Sequence, residues 1–505
     1  MSENLFSALT ESASVRLDKP ALFWARQEYS YRKFLEQSAW MAERLKGEFG
    51  VHAGDRVAIW MRNRPEFVPA LFGIFAAGAA AVPVNNFLKP NEVAYLLGDA
   101  GVNVVITDDA AGETLAALLV LRPGLRVIRA EEFPAEVDPA SFDLASFVPV
   151  SRRPSDLAVL IYTSGTTGKP KGAMLTHGNL LHNVESCRQI LEVGDVDRLV
   201  LMLPMFHSFM LTVGILLPLL VGGSIVLIHS LHPPKAMLEE LLGNSGTVLP
   251  AMAQIFRVLA GLPAGFELPL RLCISGAGPL PSEILNAFNA RHPQVLLIEG
   301  YGLSEASPVV TVNPVRGPWI PGTVGPPIPD VEVSVQDDTG SFLPDDVDGE
   351  ICVRGGNVMA GYWNAPEKTA ETVINGWFHT GDIGHRRPDG YYVITDRKKD
   401  MLKPNGINVY PREIEEVIYQ FPGVRECAVV GEPDERRGER AIAFVAVDEG
   451  KVFEERALLA FLKERLADYK LPRRAILLPA LPRNATGKVL KTSLRELLRA
   501  EAEKA

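Results

Sequence analysis

Eleven residues, "YTSGTTGKPKG" at 162–172, gather three glycines, the four hydroxyls of Thr163, Ser164, Thr166 and Thr167, and two lysines directly behind the apolar run Leu157–Tyr162. Glycine and threonine free backbone amides to converge on an anion, and Lys169 and Lys171 add positive charge, so the chemistry on offer is polyphosphate binding. A Walker loop needs Gly, four residues, then Gly-Lys-Ser/Thr. Here Thr163 stands five residues before Gly168, where the first glycine belongs, and Pro170 follows Lys169 in place of the metal-binding hydroxyl residue. The cradle is therefore of another kind. An ordinary exposed loop accounts for the glycines, but not for hydroxyls and lysines together.

Such a loop needs a rigid element to stand on. Leu157–Tyr162 has the apolar, β-branched character of a strand, and the spacing beyond the loop predicts an amphipathic helix beginning near His177. From residue 30 to about 325 similar runs alternate with helical periodicity: "RVAIW" at 56–60, "FVPALFGIFAAG" at 67–78, "AAVPV" at 80–84, "NVVIT" at 103–107, "SIVLI" at 224–228, "LRLCISG" at 270–276 and "VLLIEGYG" at 295–302. This is an α/β pattern of doubly wound, largely parallel sheets. Between 323 and 397 it gives way to short strands joined by Gly/Asp turns ("VEVSVQDDTG", "GEICVRG", "GYYVITD"), a small β-barrel-like subdomain. A fresh α+β pattern follows: helix "PREIEEVIYQFPG", strands "VRECAVVGEP" and "RAIAFVAVD", helix "EERALLAFLKERLADY", then a basic tail. These changes predict an N-terminal domain over 1–397, a hinge at 398–400 and a C-terminal domain over 400–505.

At 505 residues the chain exceeds what one hydrophobic core usually serves, and its formal charge of -10 lacks the basic footprint of a nucleic-acid binder. Cys187, Cys273, Cys352 and Cys427 are far apart and show no CxxC spacing, which predicts reduced core thiols rather than a disulfide framework or zinc site. The first twenty residues carry acidic groups where a signal peptide would be basic, so a cytoplasmic protein is expected. Two apolar stretches tempt a membrane assignment. Pro69, Gly73, Gly78 and Pro83 interrupt Phe67–Val84, while Pro218, Gly222 and Gly223 split Leu211–Ile228 into a helix and a short strand, so buried elements are expected and no transmembrane segment. Peripheral attachment to a membrane and a homodimer both stay open.

Seven motifs occur in order: "YTSGTTGKPKG" at 162–172, "PMFH" at 204–207, "EGYGLSE" at 299–305, "GEICVRGGNVMAGYWN" at 349–364, "HTGD" at 379–382, "DRKKDMLKPNGINVYPREIE" at 396–415 and "PRNATGKVLK" at 482–491. Together they resemble the adenylate-forming superfamily of acyl-CoA synthetases, peptide-synthetase adenylation domains and luciferases, with motifs nearest those of bacterial fatty-acid–CoA ligases. The resemblance covers nearly the whole chain. It implies ATP, Mg²⁺ and coenzyme A as partners of a carboxylic acid, and a C-terminal domain that is mobile. A carboxylate attacks the α-phosphate of ATP to give acyl-AMP and pyrophosphate, and a thiol then displaces AMP. The acid is already ionised at neutral pH and needs no general base, so charge neutralisation and positioning carry such a reaction.

The resemblance also distributes roles. Thr163, Ser164, Gly165, Thr166, Thr167 and Gly168 would wrap the β- and γ-phosphates with help from Lys171. Glu305 would bind Mg²⁺, assisted by Thr163, since hard oxygens suit that cation. Within the same motif, Glu299, Gly300 and Ser304 would help form the nucleotide site, Ser304 keeping the hydroxyl of the family's usual threonine. Tyr301 would stack on adenine opposite Gly276, Ala277 and Gly278. Asp382 would accept hydrogen bonds from both ribose hydroxyls, supported by Arg397, and Lys488 would contact the carboxylate and α-phosphate. His207 falls at an aromatic gate between acyl and nucleotide sites. Lys399 falls at the hinge about which the C-terminal domain would rotate between half-reactions, bringing Gly406 towards the pantetheine.

Amino-acid-activating relatives carry Asp after the aromatic, at the position of His207, to pair with the substrate ammonium; this chain has "FHSFMLT". Neither "SFMLTVGILLPLL" nor "SPVVTVN" carries a charge, so an apolar acid is expected, a medium- to long-chain fatty acid first and an aromatic or alicyclic acid second. Carrier-loading acyl-AMP ligases show "HDMG" and an added insertion where this compact chain has "HSFM", which favours CoA as acceptor, and with no carrier-domain serine motif after Lys491 a stand-alone ligase is expected. A non-catalytic acyl- or nucleotide-binding homologue is the contrasting class. Binding alone would not require Glu305, Asp382 and Lys488 together.

Overall fold

Apolar β-branched runs bounded by glycine and proline assemble into two large sheets in the computed structural model, which describes residues 3–138, 144–163, 170–230, 234–263, 265–404, 407–434, 438–484 and 487–502. The first sheet has six strands in the order Arg126–Arg129, Val104–Thr107, Arg56–Trp60, Ala80–Pro83, Leu157–Thr163 and Lys171–Thr176. All its pairings are parallel except the last. The second has eight, in the order Val309–Val312, Leu296–Gly302, Leu272–Ser275, Val248–Ala251, Arg198–Leu201, Ser224–Leu227, Pro20–Trp24 and Gln27–Ser30. Only its two outermost pairings are antiparallel. Parallel strands buried on both faces need helices as covers, which the alternating sequence supplies.

The two apolar stretches lie inside this arrangement. Every residue of helix Phe67–Ala76 is buried, and it packs on helix Tyr31–Gly47 so closely that a Cβ at Gly73 would sit 2.7 Å from Met41 Cβ. The second becomes a π-helical turn Met210–Leu216, a helix Leu217–Val221 ended by Gly222 at φ 87°, and the strand Ser224–Leu227. Among the described residues no helix is long and apolar enough to cross a membrane.

A half-barrel of antiparallel strands follows: Val331–Gln336, Gly349–Gly355, Trp377–Arg386 and Val373–Ile374, with Tyr392–Arg397 paired to Trp377–Arg386. Beyond Arg397 the chain builds a small domain with its own core. Leu402, Ile414, Ile418, Val429, Ala443, Leu458 and Leu462 close together under the sheet Val424–Asp434, Gly438–Val447 and Ala475–Leu477. All four cysteines are buried and unpaired.

Three local expectations need correction. The phosphate-type loop leads not directly to a helix but into the strand Lys171–Thr176, which doubles back on Leu157–Thr163 before the helix His177–Ile190 begins. Its opening Lys-Gly, poor in strand propensity, hides it. The helix expected through Tyr469 stops at Lys463, with a separate turn at Asp468–Lys470. The basic tail is a helix, Lys491–Ala502, whose Leu494 and Leu498 pack with Val430, Ile442 and Phe444 on the sheet's other face.

Candidate active site

Asp382 is the hub. Its strand Trp377–Arg386 lies antiparallel to Tyr392–Arg397 with Asp382 directly opposite Arg397, and that register brings Arg397 Nε to 2.8 Å from Asp382 Oδ1. The other carboxylate oxygen accepts the Tyr301 hydroxyl at 2.7 Å. Only 4% of Asp382 is exposed. Burial and the Asp382 charge push the Tyr301 phenol far up, so it stays a hydrogen-bond donor. Gly381, at φ 72°, sits where this strand's register with Gly349–Gly355 shifts, and its N–H donates to Glu350 Oε1 at 3.0 Å.

Lys488 enters the same cleft from the C-terminal domain. The residue is exposed, and its ammonium lies within electrostatic range of Arg397, Asp382, Asp400, Lys399 and His207. Crowding by protein, then the Arg397 charge, lowers its pKa to about 8. The preceding Gly487, at φ 79°, passes so close to Met252 of the large domain that a Cβ there would run into the Met252 sulfur. Burial and Lys488 lower His207 to about 4, so its imidazole is neutral at physiological pH. Its Nδ1 accepts the Phe209 N–H at 3.3 Å, which leaves the proton on Nε2.

Glu305 and Thr163 meet from two different strands' ends. Thr163 Oγ1 donates to Glu305 Oε1 at 3.1 Å, and Tyr362 donates to the same oxygen at 3.1 Å. Lys171 Nζ lies 5.5 Å from the Tyr362 ring centroid. Ser304 Oγ pairs with Ser208 Oγ at 2.9 Å. Gly276, Ala277 and Gly278 form the turn after strand Leu272–Ser275, where ligands of parallel sheets collect. Ala277 takes a left-handed φ of 65°, the Phe209 ring lies 3.0 Å from where a Gly276 Cβ would stand, and Gly278 faces open space.

Other expected residues sit differently. Gly300 is a packing position, since a Cβ there would come within 3.1 Å of Val312 Cγ2. Glu299 is 6% exposed and faces the domain boundary, accepting the Leu280 N–H at 3.1 Å with Arg412 of the small domain 3.6 Å away. Burial raises it to about 7 against the pull of Arg412. Lys399 occupies the turn closed by Asp400 N–H to Arg397 O at 2.9 Å. Ser164, Gly165, Thr166, Thr167 and Gly168, with Gly406, lie outside the described residues. Sequence reasoning missed Tyr362, Glu350 and Arg412. The first two lie inside "GEICVRGGNVMAGYWN" and Arg412 inside "DRKKDMLKPNGINVYPREIE", motifs quoted whole with no role given to these members.

The chain belongs to the AMP-binding enzyme family: residues 9–363 match the AMP-binding enzyme and residues 413–488 the AMP-binding enzyme C-terminal domain. It is similar to a long-chain-fatty-acid–CoA ligase of Escherichia coli, 33% identical over 99% of this chain and 96% of that one. A feruloyl-CoA synthase of Amycolatopsis is 36% identical over 92% of this chain and 93% of its own. Among solved structures, ATP-bound MatB from Rhodopseudomonas palustris superposes with a TM-score of 0.89 at 34% identity, covering 98% of this chain and 99% of that one.

Proposed function

We propose that the protein is a cytoplasmic, AMP-forming acid–CoA ligase that activates an apolar carboxylic acid, a medium- to long-chain fatty acid first. The convergence of Tyr301, Arg397 and Lys488 on Asp382 carries the nucleotide half of this reading. A buried carboxylate so held suits two ribose hydroxyls, and Tyr301 and the turn at Gly276–Gly278 suit an adenine between them. The oxygens near Glu305 fit Mg²⁺: the Glu305 carboxylate and the Thr163 hydroxyl would hold it, hard oxygens of the kind this ion takes. Bound there, the cation supplies neutralisation of the phosphates.

Lys488 acts on the reacting centre. At neutral pH its ammonium is charged, and placed between two anions it lowers the cost of bringing carboxylate to α-phosphate. In the free protein that charge is lost as pH rises through about 8. The expected result is an alkaline fall in kcat/KM for ATP with that midpoint. In Lys488→Arg the fall disappears from the accessible range, because a guanidinium stays protonated. A level profile in the unaltered protein contradicts the assignment.

The acid side is apolar by construction. Phe206, Phe209, Met210, Leu211, Val213 and Ile215 are buried, and the polar groups among them are engaged: Ser208 with Ser304, and Thr212 with Ser307 O at 2.9 Å. No Asp, Glu, Lys or Arg occurs in the segment 206–215. An aromatic acid is the second reading, favoured by the likeness to a feruloyl-CoA synthase. Incubation with ATP, Mg²⁺, CoA and graded fatty acids, cinnamates and benzoates tests both. AMP and pyrophosphate should accumulate with acyl-CoA; ADP and phosphate would refute adenylation, and the preferred acid decides between the readings.

A further inference from the structure

Tyr362 has no part in the scheme above, yet it touches both halves of the phosphate apparatus. Its hydroxyl donates to Glu305 Oε1 at 3.1 Å, and its ring lies beneath Lys171 Nζ at 5.5 Å from the centroid. Its placement is built rather than incidental. Residues 360–363 hook antiparallel onto the strand that leaves the phosphate-type loop: Met174 N–H to Gly361 O at 2.9 Å, Ala360 N–H to Met174 O at 2.9 Å, and Trp363 N–H to Gly172 O at 2.8 Å. Neighbouring bonds pin the hook from outside, with Trp363 Nε1 on Asp99 O at 3.0 Å and Tyr362 N–H on Thr369 Oγ1 at 2.8 Å. Both donors, Thr163 and Tyr362, reach the same carboxylate oxygen of Glu305. Oε2 accepts from none of the described residues.

We propose that Tyr362 is a positioning residue that clamps Glu305 by one oxygen, presents the other to a divalent cation, and holds Lys171 in register with it. This rests on the proposed ATP-dependent activity. A carboxylate fixed by two donors on one oxygen has few rotamers left, so the cation meets a preorganised ligand and the protein gives up less side-chain freedom on binding. The ring adds cation–π attraction for Lys171, which keeps the ammonium on the side of the metal rather than free in solvent. One side chain thereby couples the lysine and the metal carboxylate.

The test is calorimetric and needs no turnover. ATP is titrated into the full chain with Mg²⁺ and again with EDTA, AMP serves as a metal-independent control, and unfolding midpoints are recorded. Tyr362→Phe keeps the ring and removes the hydroxyl. It should cut the Mg²⁺-dependent gain in ATP affinity about tenfold, the scale of a hydrogen bond to a charged group. ATP affinity in EDTA, AMP affinity and the unfolding midpoint should hold. Tyr362→Leu should also weaken ATP binding in EDTA by about threefold, because Lys171 loses its ring. A Tyr362→Phe protein with the full Mg²⁺ gain overturns the proposal, as does one that loses AMP and metal-free ATP affinity equally, which marks a merely structural tyrosine. If the unaltered protein shows no Mg²⁺-dependent gain, the ATP-dependent reading falls first and this inference with it.

Discussion

Lys488→Ala slows acyl-adenylate formation by about 10² to 10³ or more, the scale on which removing one transition-state donor acts. The second half-reaction survives. Supplied with preformed acyl-adenylate and CoA, the variant makes thioester at close to the unaltered rate, because the small domain is proposed to rotate and carry this lysine out of the cleft. The geometry makes such a split measurable. Lys488 reaches its neighbours from a turn whose Gly487 abuts Met252, so the contact belongs to one docking of the small domain and not to the large domain itself. Single-turnover assays of the two steps decide the matter, and an equal loss in both would make Lys488 a structural contact and remove the case for alternation.

Asp382→Ala is expected to reduce kcat/KM for ATP by about 10² or more, since the two hydrogen bonds proposed from ribose hydroxyls to this charged acceptor would be lost at once, each of about 1.5–3 kcal/mol. It also lowers the unfolding midpoint. Tyr301 and Arg397 both lose their partner in a site where the carboxylate is nearly excluded from water. The stability loss is modest, because the Arg397 side chain is 39% exposed and water can replace part of what it loses. Titration with AMP and with pyrophosphate separates the effects. AMP affinity should fall with that of ATP, whereas pyrophosphate, which lacks a ribose, should bind as before; a uniform loss would locate the damage in folding.

The parallel strands and their covering helices were legible because each element's apolar period is unbroken over most of its length, as in Leu272–Ser275 or Phe67–Ala76. Motif residues were legible as a set, and the structure brings Tyr301, Asp382, Arg397 and Lys488 together. What escaped lies in pairings between distant segments. Strand Lys171–Thr176 is held by its partner and by residues 360–363, so its own composition says little. Tyr362 acquires meaning only when that hook sets it beside Glu305, 57 residues earlier in the chain. Arg412 is one basic residue on an amphipathic helix until docking puts it 3.6 Å from Glu299. Helix Lys491–Ala502 was hidden by its charge, which masks the spacing of Leu494 and Leu498.

The four buried thiols bear on how the chemistry can be followed. Burial pushes Cys187 and Cys352 up to about 12 and raises Cys273 and Cys427 well above the ordinary thiol range, so almost no thiolate exists at neutral pH for a disulfide reagent to attack. In the folded enzyme a colorimetric thiol reagent therefore reports coenzyme alone, and consumption of CoA can be read without a background from the protein. Denaturation reverses this, releasing four titratable equivalents per chain, so the same dye that monitors turnover counts unfolded molecules.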